Sequence, residues 1–153
     1  MQLTFSGSPE IGLPRPAVWA RLMDPHTVAA CAPGVESVES VGPNQYRVVS
    51  ALGVGAVRLR FGMRVELADI VEPESATMHV RGKAPGSIVE ARTGIRLVAL
   101  GPGRTRLEWH AEADFSGTVA SVGARLLGGT ARKLTEQFWQ EFARRVEEQV
   151  RSK

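Results

Sequence analysis

Between residues 57 and 67 every second side chain is apolar. Val57, Leu59, Phe61, Met63, Val65 and Leu67 share one face, and Arg58, Arg60, Arg64 and Glu66 lie on the other. A period of two is that of an extended strand with one face buried. The alternation returns at 77–83, where Met78, Val80 and Gly82 oppose Thr77, His79, Arg81 and Lys83. It returns again at 107–115, where Leu107, Trp109, Ala111, Ala113 and Phe115 oppose Glu108, His110, Glu112 and Asp114. At 89–97 the apolar set Val89, Ala91, Ile95 and Leu97 opposes Glu90 and Arg92, which places Glu90 outside. Turn sequences separate these runs: 42–45, 53–55, 72–74, 83–86 and 101–103. Such short connections join antiparallel neighbours, because parallel pairs need a long crossover. The region 35–114 thus reads as about six strands, and Leu3 to Ile11 supplies one more.

A sheet with one oily face needs a cover. From about Thr118 to Val150 the apolar spacing changes to steps of three and four. Val119, Val122, Leu126, Leu127, Thr130, Leu134, Phe138, Phe142, Val146 and Val150 form one stripe, opposite Arg125, Arg132, Glu136, Gln140, Arg144, Glu147 and Arg151. That is an amphipathic helix of about 45 Å, long enough to cross the sheet. Two short helices are predicted before the strands. Pro14 and Pro16 open the first, carrying Val18, Trp19 and Leu22, and Asp24-Pro25 caps and opens the second, His26 to Cys31, which Ala32-Pro33-Gly34 ends. The pattern predicts a single α+β domain over residues 1–153: a curved antiparallel sheet and a long C-terminal helix.

The predicted core has loose places. Gly128-Gly129 interrupts the helix, and the inner sheet face mixes Gly82, Ala84, Ala91, Ala111 and Ala113 with large residues. Small side chains beneath a long helix leave close backbone approach or a void, and a void departs from normal core density unless something fills it. The glycine pair reads either as a packing notch or as a bendable point where a ligand passes. Thr130 is the polar residue on the stripe and a candidate contact for a carbonyl or hydroxyl head group. Trp19 reads as core packing. Trp109 is open between packing and ligand contact, since a buried indole N–H needs a partner.

Composition narrows the function classes. The net charge is +3, with no Lys/Arg block interleaved with aromatics, so no nucleic-acid partner is expected. The one cysteine, Cys31, excludes an internal disulfide, fits a reducing compartment, and reads as a small apolar residue. No signal peptide or membrane-spanning run is visible, so a cytoplasmic protein is expected. Glu108, His110 and Glu112 share the charged face beside Arg106 and read as ion-paired surface rather than metal ligands. Gly53-Val54-Gly55 joins two strands and is no phosphate loop. No catalytic constellation, no metal site and no intrinsic cofactor is expected.

Two segments carry a family resemblance. Pro14 to Pro25, with Val18-Trp19 and Asp24-Pro25, looks like the first helix of the START-like, polyketide-cyclase-like superfamily (SRPBCC). Asp24 to Glu36, with Ala30-Cys31-Ala32-Pro33-Gly34, and Val122 to Phe138, with Lys133-Leu134 and Gln137-Phe138, resemble the CoxG family, the G component of carbon monoxide dehydrogenase. The resemblance implies a helix-grip fold: a seven-stranded antiparallel sheet wrapped round the C-terminal helix, with two short helices after the first strand. It implies a non-catalytic accessory protein of a molybdenum hydroxylase of carbon monoxide dehydrogenase type, handling a lipophilic molecule such as a quinone. Many relatives carry a C-terminal extension that reaches the membrane. This chain stops at Lys153, so peripheral contact with the inner membrane face is left open without an anchor. The expected cavity is lined by Trp19, Phe61, Met63, Met78, Val80, Ala91, Ile95, Trp109, Ala111, Val122, Leu126, Leu127, Thr130 and Leu134. The alternatives are a cyclase or dehydratase using the same cavity, which needs a titratable group such as Glu90 inside, and an assembly scaffold with a filled core.

Overall fold

The structure is a computed structural model that describes residues 1–151 except 33 and 55, and the backbone alone at 54, 57, 150 and 151. The chain opens with β1 (Gln2–Gly7) and β2 (Glu10–Ile11), then α1 (Arg15–Leu22) and α2 (Pro25–Cys31). Six strands follow: β3 (Val35–Gly42), β4 (Gln45–Val54), β5 (Val57–Val71), β6 (Ser75–Ala84), β7 (Ser87–Gly101) and β8 (Arg104–Gly117). A 3-10 turn (Thr118–Val122) leads into α3 (Ala124–Arg151). The sheet order is β1-β8-β7-β6-β5-β4-β3, antiparallel throughout, with β2 continuing β1 along β8. The seventh path strand is therefore drawn in two pieces, because Pro9 has no N–H to give. Its carbonyl still accepts from Leu107 N–H at 2.9 Å, which keeps the register.

Local chemistry sets the helices. Asp24 caps α2 as the sequence predicts: its carboxylate accepts from His26 N–H and from the Thr27 hydroxyl, both at 3.0 Å, and Pro25 takes the first helical position. The Pro33 end of that helix and the Gly55 end of the 53–55 turn lie outside the described residues. The long helix begins six residues later than expected. Gly117 and Gly123 hold φ of +81° and +94°, so the backbone breaks on both sides of the 118–122 turn. A Cβ at Gly117 would lie 1.9 Å from the Gly86 carbonyl oxygen, so the crossing of the chains there requires glycine. Val119 N–H donates to Ser87 Oγ at 2.9 Å and ties the turn to β7. Val119 and Val122 belong to this turn, not to the helical stripe.

The core is in two parts. One packs Ile11, Leu13, Val18, Trp19, Leu22 and Cys31 against Ile95, Leu97, Leu107 and Trp109 and against Trp139, Phe142 and Val146 of α3. Thr105, fully buried here, donates to the Leu13 carbonyl at 2.8 Å. The other packs Phe61, Ala113, Phe115 and Val119 against Leu127. Trp139, which the stripe omitted, stacks on Trp109 with centroids 6.0 Å apart and meets Phe142 edge-on at 5.7 Å. The outer sheet face is charged and paired: Arg60–Glu36 at 2.8 Å, Arg81–Glu90 at 3.6 Å, Arg106–Glu108 at 3.1 Å and His110–Glu112 at 3.7 Å. These pairs are solvent-exposed and add little stability. They keep the outer face wet and fix which side of the sheet turns inward.

Candidate ligand-binding gap beneath the C-terminal helix

The two core clusters do not merge along α3. Leu127 ends one and Phe138 begins packing in the other, an advance of about 16 Å along the helix. Over that stretch the helix turns Thr130, Ala131 and Leu134 toward the sheet, and each stays half-buried. On the sheet, strand register sets two neighbouring inner-face rows, one starting in each cluster. One runs Ala113–Ala91–Val80–Val65–Tyr46 from β8 to β4, and the next runs Ala111–Thr93–Met78–Leu67. Both rows begin with alanine at β8 and carry larger side chains toward β5. Val65, Leu67, Met78 and Val80 join neither cluster and keep part of their surface accessible, although they point to the covered side. Water therefore reaches the oily face of β5 and β6, whereas the inner residues of β8 are closed off. This stretch, with small residues at one end, half-open large ones at the other and Thr130 on the helix side, is the candidate for an apolar gap.

Of the residues expected to line a cavity, Met78 and Val80 join neither cluster, and Thr130 and Leu134 are half-buried on α3 between them. Phe61, Leu127, Met63, Ala91 and Val122 pack in the cluster at the 118–122 turn, and Ile95, Ala111 and Trp109 in the aromatic one. Trp19 is buried in the cluster with α1 and packs there, away from the gap. Leu126 is a correction: it is 46% exposed. It sits one position, about 100°, round the helix from Leu127, and only one of the two can face the sheet. Glycines 128 and 129 are not a tight notch either. A Cβ at Gly128 would meet Leu3 Cδ1 at an ordinary 3.9 Å, and one at Gly129 would meet nothing within 4 Å.

The titratable groups stand elsewhere. Glu90 points outward and pairs with Arg81, in a hollow of about 420 Å3 on the outer face that His79, Arg92 and Asp114 also line. Cys31 is buried, its thiol donates to the Thr27 carbonyl at 3.2 Å, and burial pushes its pKa up, so it is a packed thiol. Among the described residues no cluster of His, Cys, Asp and Glu has the arrangement of a metal site. Among them, too, no helix is long and apolar enough to cross a membrane. Sequence reasoning missed Trp139, whose signal was its place between Phe138 and Phe142 in one turn of helix.

A curved antiparallel sheet gripping a long terminal helix, closed at one end by two short helices, is the START-like helix-grip fold. Residues 7–147 match the family described as the G subunit of carbon monoxide dehydrogenase (CoxG), and the chain belongs to that family. A conserved protein from Geobacillus kaustophilus superposes with a TM-score of 0.89 at 29% identity, over 95% of this chain and 96% of that one. The Zhui aromatase/cyclase from Streptomyces sp. R1128 gives 0.73 at 17% identity, over 98% and 96%. A START superfamily protein from Mycobacterium smegmatis gives 0.72 at 14% identity, over 95% and 97%. The last two show the fold alone. No functionally curated protein matches the sequence.

Proposed function

We propose that this chain is a non-catalytic carrier that holds a lipophilic molecule in the gap between α3 and the inner face of β5–β8. The molecule is of the size and polarity of a quinone. The observation that carries this reading is the split core: two packed clusters along one helix, with the half-open apolar residues Val65, Leu67, Met78 and Val80 joining neither. An apolar occupant there would be held by the surface it removes from water, at roughly 25 cal/mol per Å2, and oriented by Thr130. Family membership supports a partner: a molybdenum hydroxylase of carbon monoxide dehydrogenase type, served in the cytoplasm or at the inner membrane face.

The test is organic extraction of freshly purified protein followed by mass spectrometry. A stoichiometric lipophilic compound, displaced in competition by an added quinone, is expected. Protein that yields none, and that neither binds quinones nor gains thermal stability from them, overturns the reading. Pulldown with the hydroxylase separates a carrier from a pure scaffold, because the scaffold docks equally well when the gap has been filled by mutation. Glu90, whose inward placement would have favoured the cyclase-like alternative, pairs with Arg81 on the outer face.

A further inference from the structure

The sheet has two free edges, and they are built differently. β3, at one edge, is guarded. Its register shifts between Val35 and Ser37 and again between Ser40 and Gly42, and it carries Glu36 and Glu39. Bulges and charges of this kind turn a further strand away. β1, at the other edge, runs Gln-Leu-Thr-Phe-Ser-Gly, with no charge, no proline and no register shift.

The ladder leaves one set of β1 backbone groups unused. Phe115 N–H donates to the Met1 carbonyl at 2.7 Å and Leu107 N–H to the Pro9 carbonyl at 2.9 Å, so the odd residues of this stretch bond to β8. Leu3, Phe5 and Gly7, opposite Ala113, Ala111 and Trp109, share that parity. Gln2, Thr4 and Ser6 therefore turn their N–H and C=O groups off the edge. All three residues are exposed, and none of their N–H groups has an acceptor among the described residues. There is room beside them. A groove of about 300 Å3 lies along Thr4, Phe5 and Ser6, with Arg132 and Glu136 of α3 among its other walls.

We infer that β1 pairs antiparallel with β1 of a second copy of this chain, about a two-fold axis at Thr4. Even residues must meet even residues, since only they have free backbone groups. The register with the longest overlap sets Thr4 against Thr4 of the second copy, Gln2 against its Ser6 and Leu3 against its Phe5. Each pair then matches in kind. Polar residues meet on the outer side. On the inner side an aliphatic residue meets an aromatic one, and Leu3 and Phe5 are half-buried, with surface left to cover. No like charges oppose each other along the strand. Arg132 and Glu136 are exposed and make no ion pair among the described residues, so each copy offers both signs beside the edge. A two-fold axis can set the cation of one copy against the anion of the other. One strand pair buries less surface than a permanent dimer needs, so assembly should depend on concentration in the micromolar range. The pairing does not depend on the gap beneath α3 or on its occupant.

The experiment is sedimentation velocity of the full chain from about 5 to 500 μM, with amide hydrogen exchange followed by NMR at both ends of that range. A rise from the 16.5 kDa monomer toward twice that mass is expected. The Thr4 and Ser6 amides should exchange about five-fold or more slowly in the concentrated sample, while those of Leu3 and Phe5, already bonded to β8, should change little. Thr4→Pro removes an edge donor without touching the β8 ladder and is expected to stay monomeric throughout. Thr4→Val keeps the donor and is expected to assemble as the wild type does. A chain that is monomeric at the highest concentration, a dimer whose edge amides stay unprotected, or a dimer indifferent to Thr4→Pro overturns the proposal. Protection that appears only on adding a different protein overturns it as well, because the edge then serves another strand. The wild-type exchange data decide the matter should Thr4→Pro fail to fold.

Discussion

Ala91→Leu is a substitution whose sign separates an open core from a filled one. Ala91 sits on β7 with Val80 and Ala113 as its cross-strand neighbours, at the centre of the row beneath Thr130–Leu134. Leucine adds three carbons, which contribute about 2 kcal/mol if space already exists for them, at about 0.8 kcal/mol per buried CH2. Ordering the new side chain takes back about 0.5–1 kcal/mol. The net gain of about 1.5 kcal/mol should raise the melting temperature by about 3–6 °C for a chain of this length. In a filled core the same change forces neighbours off their rotamers and costs about 1–3 kcal/mol. Calorimetry on ligand-stripped protein reads the sign. The variant should also carry much less extractable lipophile than the wild type. A lowered melting temperature with unchanged ligand content would refute the existence of the gap.

The remaining predictions concern parts whose geometry is already settled. Gly129→Ala should stabilise the protein by about 1 kcal/mol, since its Cβ meets nothing within 4 Å and helical glycine is unfavourable; urea titration reads it. Gly117→Ala should destabilise by about 3 kcal/mol or more, from positive φ together with the Gly86 carbonyl in the way. Ser87→Ala leaves the buried Val119 N–H without its acceptor and should cost about 1–3 kcal/mol in the same titration. Glu141 receives hydrogen bonds from Arg144 and Arg145 that pull its pKa down to about 2. The folded value lies below the unfolded one, so its contribution is complete above pH 4.5 and fades as pH falls toward 2. Carboxyl NMR should place its midpoint near 2, and Arg144→Ala should raise it.

The sheet was legible because one face is buried, and burial of one face makes a register slip costly along a whole strand. Phe61 to Leu67 and Leu107 to Phe115 alternate in the structure as they do in the sequence. The start of α3 was not legible. Val119 and Val122 carry helical spacing, while the break depends on the backbone angles of Gly117 and Gly123, which spacing cannot report. Leu126 and Trp139 defeat the spacing rule for one shared reason. Each adjoins another large residue, and which of two neighbours faces inward depends on the helix phase set by Leu127, Phe142 and Val146. The small side of the proposed gap could be foreseen from Ala91, Ala111 and Ala113, but its extent could not. That extent follows from where the aromatic cluster stops, and Trp139 is the residue that sets the limit.

The division of the core also bears on how α3 breathes. A helix clamped at both ends by fully packed layers, yet loosely seated in between, concentrates its fluctuations at the centre. Amide protons near Thr130 and Ala131 then exchange with deuterium sooner than those beside Phe142, without either end letting go. A guest molecule could be exchanged through a brief central swelling of the helix, with the strands around it left standing.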